Sequence, residues 1–264
     1  MSDSVVSPVL HDAWEAYGDP RELVHIEEIS ASVSTNSVYL LVFSDHTEIV
    51  AKRSSYGSFV HFRQDHYRIH EWIHRLRGTR YASFLAKVLL KNEEVFTYRD
   101  GGEWVVFYEK AQFYDFLPKV LTEAQVESLG EEMALFHQAT LDISSRVRPT
   151  WQTLGSDIAT LHDVVASEAW RRQHGFRDTA QDYVRAHCDA FLHNADELGY
   201  HDWPKIPVLI DWNIGNFSVG LDGEGFKFFS RWDYDWFRIE PTLMDFYFCA
   251  RVVRAEGDQD SFSY

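Results

Sequence analysis

The stretch from residue 208 to residue 245 constrains this chain more than any other part of it. An apolar run, Val208-Leu209-Ile210, breaks at once into Asp211-Trp212-Asn213-Ile214-Gly215-Asn216. Such a break is expected where a buried strand or loop delivers polar groups to one point. Gly215 eases the turn that brings Asp211 and Asn216 to the same side. Phe217 to Val219 then reads as a strand, Asp222-Gly223 as a hairpin turn, and Phe226 to Trp232 as the returning strand. The return ends at Asp233, which the hairpin carries back beside Asn216. Two carboxylates and an amide oxygen therefore converge. Hard oxygens of this kind suit magnesium held with phosphate, and the spare carboxylate suits a base or an orienting group.

The first hundred-odd residues read as an antiparallel sheet with one helix packed on it. A short helix is expected over 11–17 and strands over 25–29, 37–43, 48–53, 84–90, 94–98 and 104–109, with Asp100-Gly101-Gly102 as a hairpin turn. Phe59, Phe62, Ile69, Trp72, Ile73 and Leu76 recur at helical spacing, which predicts a helix over 59–76. After Glu109 the pattern changes. Thr122 with Gln125 forms a capping-box start for a helix running to His137. Further helices are expected over 158–170 and from Asp178, and a last one over 242–254 behind Pro241. The resulting fold class is α+β. A small antiparallel β-sheet lobe, residues 1–109, precedes a larger, mainly helical lobe, residues 110–264, that carries the hairpin, with a cleft between them.

Two features of the first lobe bear on chemistry. Lys52 ends a strand, and Glu71 lies nineteen residues on, in the following helix. A strand lysine held by a glutamate of the next helix is how kinases fix a phosphate-binding ammonium, although a lone strand-end lysine ordinarily snorkels to solvent. The linker that ends in Ser34-Thr35-Asn36 is small and polar and could bend over a phosphate. It has no glycine, and by itself it reads as an ordinary hairpin loop.

Together these motifs resemble the aminoglycoside phosphotransferase and choline kinase superfamily, the small-molecule branch of the protein-kinase-like fold. The family's catalytic loop, H-G-D-x-H-x-x-N, corresponds to Leu209 through Asn216, and its I-D-[FW] metal motif to Trp232-Asp233-Tyr234. The proline and D-[LF] that follow are Pro241 and Asp245-Phe246. Met133 to His137 matches the L-x-x-L-H helix, and Phe107 to Ala111 the hinge. The resemblance spans residues 25 to 250 and implies a bilobal kinase-like fold. It also implies an ATP- and Mg2+-dependent phosphotransferase acting on a hydroxyl of a small molecule such as an amino sugar, aminoglycoside or amino alcohol. By the same resemblance Asp211 orients or deprotonates the acceptor, and Asn216 and Asp233 hold magnesium. Lys52 meets the ATP phosphates with Glu71 orienting it, and Ser34, Thr35 and Asn36 form the phosphate loop. Backbone near Glu109 and Ala111 meets adenine, and Asp245 braces the catalytic loop. Asp235 is a second acidic candidate beside Asp233.

The departures are as informative. Leu209-Ile210 stands where the family has His-Gly, and Asn213 where it has its second His, so the loop needs other support; Trp212 and Trp232 are the candidates. These departures keep a second reading open, a non-catalytic pseudokinase that binds nucleotide or a protein partner. The net charge of −16 argues against a nucleic-acid binder and is compatible with a cationic small substrate. Two cysteines without a CxxC spacing give no disulfide framework or zinc site, no signal peptide or membrane span is expected, and a cytoplasmic protein is the expectation.

Overall fold

The computed structural model describes residues 8–30, 36–118, 120–150, 152–212 and 215–246. In chain order, helix α1 (Pro8–Tyr17) leads into strands β1 (Leu23–Glu28), β2 (Ser37–Phe43) and β3 (Glu48–Ser54) and then helix α2 (Phe59–Arg75). Two short strands, β4 (Leu90–Lys91) and β5 (Glu94–Val95), precede β6 (Thr97–Asp100) and β7 (Glu103–Glu109). Five strands make one antiparallel sheet in the order β1-β2-β3-β7-β6. Alternate residues of β7 serve opposite faces. Val105 and Phe107 pack with Leu10 and Trp14 of α1, and Val106 and Tyr108 pack with Ile69 and Trp72 of α2. Burial on both faces explains the nearly unbroken apolar run of β7.

Of the segment expected as a strand over 84–90, Phe84 closes a turn on Tyr81, Leu85 and Val88 make isolated bridges, and only Leu90 belongs to a strand. Leu89 N and Glu109 N bond across to Phe107 O and Lys87 O at 2.8 Å, while Ala86 N reaches Arg231 O at 2.9 Å. It joins the sheet to the end of the hairpin, and no single neighbour continues the ladder.

Helix α3 (Glu123–Ser144) opens on the expected capping box, with Thr122 and Gln125 exchanging bonds of 3.0 and 3.3 Å. The single helix expected over 158–170 is two, α4 (Leu154–Ala166) and α5 (Glu168–His174). Ser167 is extended, with ψ 115°, and its hydroxyl caps α5 through Trp170 N, which stops one helix and starts the next. Helix α6 (Asp178–Glu197) follows, then β8 (Ile206–Val208), the hairpin β9 (Phe217–Asp222) and β10 (Gly225–Arg231), and β11 (Arg238–Glu240), which pairs with β8. A 3-10 turn over Thr242–Asp245 begins the expected last helix, whose remainder lies outside the described residues.

One apolar cluster holds these parts together. It contains Ile69 and Trp72 of α2, Tyr108 of β7, Phe136 of α3, Trp212, and Phe217 and Phe228 of the hairpin. Phe136 sits at its centre, 5.6 Å from Trp72 and 6.0 Å from Trp212 between ring centroids. Each fully buried side chain of this size contributes about 1.5–3 kcal/mol. The hairpin is thus fixed to the same core as the helix that covers the sheet. Among the described residues no helix is long and apolar enough to cross a membrane.

Candidate active site

The loop before the hairpin is tight. Asp211 N bonds Leu209 O at 2.7 Å and Trp212 N bonds Ile210 O at 3.0 Å. The turn forces Ile210 to φ 63°, in the left-handed region that disfavours a β-branched side chain and costs about 1–3 kcal/mol. The resemblance places glycine at this position, where no Cβ opposes such a φ. Ile210 is held there from both ends. Its side chain packs with Ile206 and Val208, and its N–H donates to the fully buried Asp245 at 2.6 Å. The other Asp245 oxygen lies 2.8 Å from His137 Nε2, so the brace runs on into α3. Asp211 Oδ2 accepts from Asn216 Nδ2 at 2.9 Å, which turns the amide oxygen of Asn216 away from that carboxylate.

Arg231, not either expected tryptophan, does most of the remaining support. It is fully buried at the end of β10 and donates to Asn216 O at 3.0 Å and Asp211 O at 2.6 Å. Burial pushes its pKa down, opposed by the carboxylates of Asp233 and Asp211. Trp232 contributes one bond, Nε1 to Gly215 O at 3.1 Å, whereas Trp212 packs in the core between Phe217 and Phe228. The sequence carries no local signal for Arg231. Strict alternation from Phe226 and Phe228 sends residue 231 outward, but a register shift between Phe228 and Ser230 turns it inward. The aromatic cluster at 232–236 divides. Tyr234 is buried and donates to Arg231 O and Ala86 O, while Trp236 is exposed.

Lys52 reaches this loop from β3. Its ammonium is buried, with 6% of the side chain exposed, and it contacts two carboxylates: Asp233 Oδ1 at 3.5 Å and, more closely, Asp235 Oδ1. Burial lowers the Lys52 pKa, and Asp233 opposes that shift. Asp233 itself has φ 66°. Asp235 also accepts, through Oδ2, from the side-chain amide of Asn36 just before β2. Three sequence-separated segments, at 36, 52 and 233–235, therefore meet at the open end of the hairpin, next to Asn216, whose carbonyl accepts from Trp232 N.

The expected Lys52–Glu71 pair is not formed. Glu71 accepts from Arg148 N and Nε at 3.4 and 3.3 Å. Helical phase is the reason. The buried face of α2 carries His66, Ile69, Trp72 and Ile73. Five residues at about 100° each turn Glu71 roughly 140° away from His66, toward the loop at 148. His66 is the α2 side chain closest in role. Its ring bonds Phe62 O at 2.7 Å and Tyr108 Oη at 2.5 Å. Burial, with the Lys52 charge adding to it, holds its pKa down to about 3. At the hinge, Glu109 N is already bonded to Lys87 O, so that N–H is not open to a base. Residues 114 and 115 are zipped to the hairpin by Tyr114 N to Ser218 Oγ at 2.7 Å and Val219 N to Asp115 O at 2.9 Å. Ala111 is partly buried against the main core. Ser34 and Thr35 lie outside the described residues.

The sheet with its covering helix, the helical part and the hairpin make a protein-kinase-like bilobal fold, the fold of the aminoglycoside phosphotransferases. Among solved structures the chain is similar to APH(2")-IIia in its GDP and kanamycin complex, with TM-score 0.62 and 13% identity, covering 92% of this chain and 77% of that one. It is similar to the GDP complex of aminoglycoside 2'-phosphotransferase-IIIa, with TM-score 0.60 and 12% identity over 92% and 78% of the two chains. Amicoumacin kinase bound to AMP-PNP and Ca2+ gives TM-score 0.52 and 14% identity over 90% and 70%. No protein-family model matches the chain. No curated protein matches it.

Proposed function

We propose that this chain is an ATP- and magnesium-dependent phosphotransferase whose acceptor is a hydroxyl of a small molecule, with amino sugars, aminoglycosides and amino alcohols the first classes to try. The observation that carries this reading is the meeting of Lys52, Asp233 and the Asp211–Asn216 pair at one end of a hairpin rooted in the core. The fold of small-molecule phosphotransferases and the nucleotides held by those solved neighbours support it.

The donor set fits magnesium. Asn216 spends its amide nitrogen on Asp211 and keeps a carbonyl oxygen for a cation, and Asp233 keeps 35% of its side chain exposed. Two protein oxygens completed by water and phosphate are what a magnesium-nucleotide site uses, in place of an all-protein cage. When bound, magnesium would neutralise charge on the nucleotide phosphates. Lys52 would take a phosphate oxygen and the backbone near Ala111 the base. Asp211 would accept the acceptor's proton or fix its oxygen in line, with its carboxylate set by the Asn216 amide and its carbonyl by Arg231. We place two domains at residues 1–109 and 110–264 and the acceptor on the surface of the second.

Purified protein incubated with γ-labelled ATP, magnesium and an acceptor panel tests this. Asp211→Asn should lower transfer by about 10²–10⁴-fold with ATP binding retained; unchanged turnover removes Asp211 from the role. A second reading, nucleotide binding without transfer, is favoured by one observation: Asp235 already neutralises Lys52. Magnesium-dependent ATP binding with no transfer and no slow hydrolysis would select it.

A further inference from the structure

Lys52 is a buried ammonium, and a buried ammonium must be paired to stay charged. The helix that packs over it offers no anion. The α2 side chain on that face is His66, neutral and with both ring nitrogens engaged, and Glu71 is turned to Arg148. Among the described residues the carboxylates at Lys52 are Asp233 and Asp235. These two are not equivalent. Asp235 has one oxygen on Lys52 and the other on the Asn36 amide, and 23% of its side chain is exposed. Asp233 stands farther from Lys52, at 3.5 Å, and is more exposed, at 35%.

We propose that Asp235 is the residue that positions Lys52 for the nucleotide phosphates, in place of Glu71, and that Asp235 with Asn36 and Lys52 forms a clamp between the sheet and the hairpin. The inference rests on the phosphotransfer reading above and adds a division of labour to it: Asp233 is left to the metal, and Asp235 holds the lysine. The clamp has a geometric consequence. An anchor on α2 moves with the helix, whereas an anchor two residues beyond Asp233 moves with the metal site. Lys52 and the metal ligands are then held in register by the hairpin. Asn36 lies just before β2, so the same carboxylate also ties the start of that strand to the hairpin.

A double-mutant cycle on the nucleotide-free protein tests the anchor without using activity. Unfolding constants from urea titration of Lys52→Met, Asp235→Asn and the double variant should show coupling of about tenfold or more. The Lys52→Met and Glu71→Gln cycle should be additive within about twofold. In the enzyme, Asp235→Asn should raise KM for magnesium-ATP by about tenfold with a smaller change in KM for the acceptor, and Asp235→Glu should recover part of it. Glu71→Gln should leave both constants at the wild-type values. If Asp235→Asn does not fold, Asn36→Ala gives the same test from the other end of the clamp, with a smaller rise in KM for magnesium-ATP. Coupling of Lys52 to Glu71 and not to Asp235, in a wild type that binds nucleotide and transfers phosphate, overturns the clamp alone. A wild type that binds no magnesium nucleotide fails the phosphotransfer reading, and with it the purpose given to the clamp.

Discussion

Two charged regions lie where the sheet and its helix meet the helical part, and they are built differently. At the hairpin mouth the cations are buried. Lys52 and Arg231 are both closed to solvent, and each is met by carboxylates or by loop carbonyls. On the outer face of α2 the pairs are open. Glu71 meets an Arg148 side chain that is 68% exposed, and Arg68 Nε bonds Pro149 O at 2.6 Å at the surface. The first kind of pairing is costly to break because a buried charge is left alone. The second is worth about 0–1 kcal/mol, since water and salt screen it. The difference assigns roles. Under the proposed function the mouth would fix the geometry of the reacting groups, while the α2 face ties the helix to the loop at 148–149.

The contrast can be broken first at Arg231. Arg231→Leu should lower stability by about 3–5 kcal/mol, because the Asp211 carbonyl loses its 2.6 Å donor, the Asn216 carbonyl is left with Trp232 N, and the carboxylates of Asp233 and Asp211 lose a buried cation. Urea denaturation measures this. A loss below about 1 kcal/mol would place the loop's support in Asp245 and Trp232 instead.

His66 gives the next effect. Its folded pKa is about 3 against 6.5 for the free side chain, so the unfolded chain binds the proton and the folded chain does not. Stability from keeping His66 neutral is present above pH 6.5 and is lost as pH falls toward 3. Between pH 7 and pH 5 the loss is about 2 kcal/mol, and His66→Gln should flatten that limb of the pH–stability curve. Asp65 has the opposite sign. Burial raises its pKa to about 6, with Arg68 and Arg238 opposing, so its ionisation costs stability as pH rises from 4 to 6. Asp65→Asn should therefore gain on the wild type at pH 8 relative to pH 5.

Glu71→Gln is the smallest change. Loss of the exposed Arg148 pair should cost less than about 1 kcal/mol in chemical denaturation. A larger cost, or a changed KM for ATP, would move Glu71 from the outer face into the site.

Local signals made much of this legible from sequence. The Asp222-Gly223 turn and its flanking apolar residues give the hairpin, the Thr122–Gln125 box gives the start of α3, and the apolar run at 104–109 gives the central strand. The convergence of Asn216 and Asp233 follows from hairpin pairing alone. What was hidden depends on long-range partners or on helical phase. Separation in sequence put Glu71 near Lys52 but did not say which way the helix would turn it. The bulge that points Arg231 inward has no local marker. Ser167 was readable as a cap, but the apolar spacing on either side of it masked the break. The twelve-residue spacing to Asp245 favours Asp233 over Asp235 as the ligand, but the contacts of Asp235 with Lys52 and Asn36 are long-range and have no mark in the sequence.

The central claim is that the hairpin mouth transfers phosphate. The most direct measurement is magnesium-dependent transfer of label from γ-labelled ATP to a panel of amino sugars, aminoglycosides, amino alcohols and neutral sugars, with wild type and Asp211→Asn side by side. The account predicts a labelled product for at least one acceptor class with the wild type and its near-complete loss in Asp211→Asn. Absence of magnesium-dependent ATP binding, or equal labelling by both proteins, would contradict it.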